Sequence, residues 1–228
     1  MSLIINTAWH HALPLVAIIG YLNYPKEWRL SPTILHPLSV AHNGTLIAFS
    51  AGTFITLVEI LYKHGLVFEH AYYFRDPLFD RVIFFFYLSK YYEFFDTFLI
   101  YLSGKKPIFL QQYHHVGAVI SWHLMWYYRV DMVWMASLLN SFVHTIMYSY
   151  YMCTLYKIHW IRVFKQCITS LQFVQFFLLY SNYYLYYPPV ETWFNYLIVV
   201  FFSLYGIGII SLFGLFYYKE YVTPRKVK

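Results

Sequence analysis

Lys90-Tyr91-Tyr92-Glu93-Phe94-Phe95-Asp96-Thr97 sits inside an apolar block that runs from about residue 79 to 102. Two further polar strings interrupt later apolar blocks. They are Gln111-Gln112-Tyr113-His114-His115 and Asn140-Ser141-Phe142-Val143-His144-Thr145-Ile146-Met147-Tyr148-Ser149-Tyr150-Tyr151. Each lies in a stretch long enough to cross a bilayer. Ionisable side chains are expensive in lipid and persist there mainly where they line a pathway or take part in chemistry. The three strings therefore predict an all-α, polytopic membrane protein with its functional site inside the membrane.

Composition supports that class. Of the 228 residues, 60% are hydrophobic and only 11% are charged, where a soluble domain carries about 25% charged residues. Apolar blocks of roughly 18 to 27 residues match the ~20 that span a bilayer. Seven helices are predicted, at about 4–24, 38–62, 79–102, 110–128, 132–156, 160–182 and 192–218. Strands are not expected, because the blocks are too long for barrel strands and lack alternation. The whole chain, 1–228, reads as one membrane domain. No Lys or Arg precedes Lys26, so no cleaved signal peptide is expected. Cys153 and Cys167 fall in or beside apolar blocks and suggest no disulfide framework. No nucleic-acid partner is expected, and self-association stays open.

The connections sort by charge. Lys26, Arg29, Lys105, Lys106, Lys157, Arg162, Lys165, Lys219, Arg225, Lys226 and Lys228 fall on one side, and Lys63, Arg75, Arg81 and Arg129 on the other. The positive-inside rule places the first group in the cytosol and the N-terminus on the lumenal or outer side. At 1.5 Å of rise per residue, Asp96, His114, Gln172 and Gln175 lie roughly 10 to 15 Å deep and His144 roughly 20 Å deep. Polar groups from four helices thus converge in the cytosolic half of the membrane. A cavity or tunnel opening to the cytosol would explain the convergence.

Spacing sharpens the picture. Lys90, Glu93 and Asp96 recur every third residue and share a helical face. So do Gln111, His114 and His115, and likewise Asn140, His144, Met147, Tyr148 and Tyr151. Gln172 and Gln175 add amides at i, i+3, as ligand contacts or as interhelical hydrogen bonds. The other eight histidines, His42 among them, stay unassigned. Imidazoles at His114, His115 and His144 can bind a metal. They can also act as nucleophile or base, since neutral imidazole attacks a thioester near pH 7. No metal is expected, because a di-iron membrane oxygenase needs several separated histidine boxes and only one is present.

These strings resemble the fatty acid elongases that act as very-long-chain 3-oxoacyl-CoA synthases. The pattern K-x-x-E-x-x-D-T is matched by Lys90, Glu93, Asp96 and Thr97. N-x-x-x-H-x-x-M-Y-x-Y-Y is matched by Asn140, His144, Met147, Tyr148, Tyr150 and Tyr151. T-x-x-Q-x-x-Q-F is matched by Thr169, Gln172, Gln175 and Phe176. The resemblance covers the chain from about residue 38 onward. The family's H-x-x-H-H box reads Gln-x-x-His-His here, similar to some microbial and algal elongases directed at polyunsaturated chains. Gln111 cannot serve as an imidazole nucleophile, which moves that role to His114.

The resemblance implies condensation of a long-chain acyl-CoA with malonyl-CoA, giving a 3-oxoacyl-CoA two carbons longer. It implies no cofactor beyond these substrates. His114 would carry the acyl group, and His144 would act as acid/base or oxyanion donor beside Asn140 and Tyr148. His115, Glu93 and Asp96 would orient them. Lys90, Thr97, Gln111, Tyr151, Gln172 and Gln175 would bind or orient substrate. Lys105, Lys106, Lys157 and Lys165 would meet CoA phosphates. Membrane lipid and the other elongation-cycle enzymes are the implied partners, and the endoplasmic reticulum the implied membrane, with Arg225–Lys228 similar to a dilysine retrieval signal. Two other readings remain from the residues alone: an intramembrane metalloenzyme of lipid modification, and a seven-helix transporter or receptor.

Overall fold

Proline and aspartate punctuate the chain where its apolar blocks begin. Pro32 opens the longest helix after Ser31, and Pro77 opens the next after Asp76. Proline suits the first helical turn because its missing N–H has no partner to lose there. The Asp76 carboxylate accepts from the Leu78 N–H at 2.8 Å. It also binds Lys63 at 3.0 Å and His64 at 2.8 Å, tying the end of one helix to the start of the next. His64 beside it holds the Asp76 carboxyl well below the usual carboxylate range.

A computed structural model describes residues 2–187 and 192–223. The helices are α1 (Ser2–Leu22), α2 (Pro32–His64), α3 (Pro77–Tyr92), α4 (Phe94–Leu102), α5 (Phe109–Tyr127), α6 (Met132–Leu155), α7 (Lys165–Tyr186) and α8 (Trp193–Tyr217). There is no strand among the described residues. The all-α expectation therefore stands, with two corrections. The third predicted helix is two, because the ladder breaks at Glu93. The sixth begins at Lys165 rather than near 160, because His159–Phe164 winds as a 3₁₀ helix whose Trp160 and Val163 are exposed. Arg225–Lys228 lies outside the described residues.

Packing partners run α2–α6–α7–α8–α5–α3 and back to α2, so six helical segments close into a ring, with α4 continuing α3. α1 lies outside, against α5. Two helices, Pro32–His64 and Trp193–Val222, are long and apolar enough to cross a membrane by length and composition. α5, α6 and α7 are 19, 24 and 22 residues long, and they carry the polar strings that lower their hydropathy. Large apolar side chains crowd the accessible surface, including Ile55, Phe85, Phe177, Leu204 and Ile207. A surface this apolar is the mark of a lipid or protein contact.

Three glycines set the closeness of α8 to its neighbours. A Cβ at Gly117 on α5 would collide with the Tyr205 ring. One at Gly206 would collide with Tyr180, and one at Gly208 with Tyr113. Small residues let helices approach in this way. The core beneath holds Phe79, Ile83, Phe86, Trp122 and Trp134. Its indoles are satisfied, Trp122 by Ser137 at 2.9 Å and Trp134 by Tyr187 at 2.7 Å.

At the far end of the ring from Lys105 and Lys165, Asp131 is 0% exposed in the loop between α5 and α6. It accepts from the N–H of Ala71, a residue in the left-handed region at φ 57°, while its Oδ1 has no partner. Burial pushes its carboxyl up to about 7. The folded protein thus keeps a proton that the unfolded chain loses near pH ~3.9. Stability should fall as pH rises from about 4 to about 7 and level off above that. Asp131→Asn is expected to flatten this slope, read as the unfolding midpoint in detergent from pH 5 to 8. Identical slopes in both proteins would remove Asp131 as the cause.

Candidate active site

The functional geometry begins with a buried cation. Lys90, on the last turn of α3, is 1% exposed. Its Nζ donates to Glu93 Oε1 at 2.6 Å and to Asn140 Oδ1 at 2.8 Å, and it lies 4.0 Å from the centroid of the Phe86 ring. An ammonium only donates, so it fixes which end of the Asn140 amide faces it. The other end, Nδ2, then donates to His144 Nε2 at 3.1 Å, one turn along α6. His144 therefore holds its lone pair at Nε2 and its ring proton at Nδ1, which lies 3.6 Å from Glu93 Oε1.

A second carboxylate organises the other side. Asp96, on the first turn of α4, accepts from Tyr148 at 2.7 Å through Oδ2 and from His42 Nε2 at 3.0 Å through Oδ1. His115 Nε2 is 4.0 Å from Oδ2. The interruption at Glu93 is what separates the two carboxylates. Glu93 turns to Lys90 and His144, and Asp96 turns to α2, α5 and α6. The common face read for Lys90, Glu93 and Asp96 thus resolves into two distinct sets of partners.

These groups line one cavity of about 590 Å³, walled by every helix of the ring except α3. His114, His115, His144, Asn140, Glu93, Asp96, Gln111, Tyr148, Tyr151, Gln172 and Gln175 all border it. Lys105 and Lys165 border it at one end, and Phe176, Phe213 and Phe216 supply apolar wall. Five buried polar atoms of these lining residues have no hydrogen-bond partner: His42 Nδ1, Glu93 Oε2, His115 Nδ1, His144 Nδ1 and Gln175 Oε1. Gln172 instead donates to Met147 Sδ at 3.8 Å. The His114 and His144 ring centroids are 6.4 Å apart.

Two predicted site residues sit behind the lining. Lys90 reaches it only through Glu93 and Asn140. Thr97 is buried, bonded to Tyr21 of α1 at 2.9 Å and to Gln111 at 3.3 Å. The replacement of the box histidine by Gln111 therefore ties α5 to α4, and through Thr97 to α1.

Sequence reasoning missed two residues. His42, left unassigned among the scattered histidines, borders the cavity and binds Asp96. Tyr205 of α8 donates to the His114 carbonyl at 3.0 Å and lies 3.1 Å from His114 Nδ1. The buried polar pair His42-Asn43 was a signal for the first. A lone tyrosine in an apolar helix carries none. His123, also left unassigned, bonds His11 of α1 at 3.0 Å.

Among the described residues, the donor atoms grouped closely enough to suggest a metal are those of Glu93, His114 and His144, all within 4.8 Å of one another. This replaces the trio of His114, His115 and His144 considered from sequence, since His115 turns toward Asp96. The fit is imperfect, because the Lys90 ammonium already occupies Glu93 Oε1 and competes with any cation there.

Residues of all three polar strings singled out in the sequence thus border one cavity. The chain belongs to the GNS1/SUR4 (ELO) family, whose model matches residues 8–228. Among similar proteins, fatty acid elongase sre1 of Dictyostelium discoideum is 35% identical over 157 residues, 63% of this chain and 56% of that protein. Very long chain fatty acid elongase 4 of Homo sapiens is 31% identical over 163 residues, 63% of this chain and 47% of that protein. Very long chain fatty acid elongase 5 of Xenopus tropicalis is 30% identical over 216 residues, 85% of this chain and 70% of that protein. The chain spans about half the length of the first two of these relatives.

Proposed function

We propose that this protein is a membrane-embedded fatty acid elongase that condenses a long-chain acyl-CoA, polyunsaturated chains included, with malonyl-CoA. The observation that carries the reading is the cavity itself. It sets His114, His144, Asn140 and Glu93 together, has five buried polar atoms without a partner among its lining residues, and continues into an apolar wall suited to an acyl chain. Family membership and the names of the relatives agree with it.

In this reading His114 Nε2 attacks the thioester carbonyl. The N–C bond forms as the C–S bond breaks, His114 becomes an acyl-imidazolium that keeps its Nδ1 proton, and CoA leaves as the thiolate, which takes a proton from water. Malonyl-CoA then loses CO2, and its enolate takes the acyl group. The C–C bond forms, the N–C bond breaks, and the neutral imidazole is restored. His144, its Nδ1–H unpaired in the cavity, is placed to donate to the developing oxyanion. Asn140 and Lys90 hold it there, while Asp96 orients His115, His42 and Tyr148. Thr97, Gln111, Tyr151, Gln172 and Gln175 shape the substrate site. Lys105 and Lys165 at the cavity mouth suit the phosphates of CoA. With seven spans, the mouth faces the cytosol and the N-terminus the lumen of the endoplasmic reticulum. The enzymes that reduce and dehydrate the product are its implied partners, and no cofactor is invoked.

The test is to supply the purified protein with a panel of acyl-CoAs. A mass increase of one acyl group, discharged by malonyl-CoA into a 3-oxoacyl-CoA, is the expected result. Neither adduct nor product, in protein shown to be folded, would overturn the reading. The grouping of Glu93, His114 and His144 favours one second reading, an intramembrane metalloenzyme. Bound metal that scales with activity would establish it in place of the first.

A further inference from the structure

Tyr205 makes two contacts with one residue, and together they define a proton. Its hydroxyl has a single hydrogen. The His114 carbonyl, 3.0 Å away, can only accept, so that hydrogen is directed to it. The Tyr205 oxygen then meets His114 Nδ1 at 3.1 Å as an acceptor. A lone pair on Nδ1 would face the lone pairs of the phenol oxygen, whereas an N–H there completes a hydrogen bond. We infer that Tyr205 is a positioning residue that holds His114 in the Nδ1–H tautomer and leaves the Nε2 lone pair free. A ring nitrogen's tautomer follows from the bond its partner nitrogen makes.

The fold is built to permit this contact. Gly117 lies one turn beyond His114 on the same face of α5, and the Tyr205 ring occupies the place its Cβ would fill. Tyr205 also stacks on Tyr113, ring centroids 5.6 Å apart, and is itself buried. It is therefore clamped on two sides, with its hydroxyl aimed at the nucleophile's residue. The site thus fixes both imidazoles by separate routes, His144 from Lys90 through Asn140 and His114 from α8.

The catalytic consequence rests on the proposed role of His114, but the tautomer can be read by itself. Histidine-selective ¹⁵N labelling of the full chain in nanodiscs gives the protonation of each ring nitrogen. Subtracting the spectrum of His114→Gln assigns His114. The wild type should show a protonated Nδ1 and a bare Nε2. Tyr205→Phe keeps the ring and removes the hydroxyl, so the proton should redistribute to Nε2. Gly117→Ala, which displaces the ring, should do the same. Acylation by acyl-CoA should slow about tenfold in both variants with KM little changed. A wild-type His114 protonated at Nε2 would overturn the inference, as would a Tyr205→Phe protein that keeps the Nδ1 proton. The expected spectra with no acylation even in the wild type would uphold the tautomer lock and sink the elongase reading instead.

Discussion

Lys90→Met is expected to destabilise the folded protein by about 3 to 5 kcal/mol, the usual consequence of leaving one partner of a buried ion pair alone. Glu93 is 1% exposed and its Oε2 already lacks a partner. Without the ammonium, Oε1 loses its 2.6 Å bond as well. Asn140 Oδ1 loses its donor at the same time. The amide can then flip, and His144 no longer has a fixed tautomer. The measurement is the thermal unfolding midpoint of purified protein in detergent. The double variant Lys90→Met/Glu93→Gln should recover most of the stability, because no unpaired charge remains, yet stay inactive, because Asn140 is still unguided. A single variant as stable as the wild type would mean that this pair does not sustain the fold.

His114→Ala should produce the largest loss of activity. If Nε2 of this residue carries the acyl group, its removal lowers turnover about a thousandfold or more and abolishes the acyl adduct. The fold should survive. His114 is half-buried at a cavity wall, and Tyr205 keeps its bond to the backbone carbonyl at position 114. His115→Ala should be milder, near tenfold, since that ring lies 4.0 Å from Asp96 and acts through it. Mass spectrometry of the two variants after a pulse of acyl-CoA separates the roles. An adduct retained in His114→Ala would move the nucleophile to another residue.

Most of the helical frame was legible because apolar blocks near 20 residues long leave little choice of structure. The grouping of the three polar strings was legible because charged and amide side chains in such blocks need partners on other helices. The break at Glu93 was not, since Tyr92-Glu93-Phe94 holds neither glycine nor proline and reads as continuous helix. The start of α7 was hidden for a similar reason, because Trp160–Phe164 is as apolar as the helix that follows. His42 and Tyr205 escaped because their partners come from other helices, with no spacing to announce them. Tyr205 is one of 26 tyrosines, and only the bare backbone at Gly117, far away in sequence, explains why this one reaches the site.

The run from Lys90 through Asn140 to His144 has a consequence for disorder. An amide with two flips and an imidazole with two tautomers have four arrangements between them. A donor-only group at one end leaves a single one. The other three are removed when the chain folds, so none has to be frozen out when a ligand enters. For equally populated states that is RT ln 4, about 0.8 kcal/mol, already supplied by the fold rather than drawn from binding.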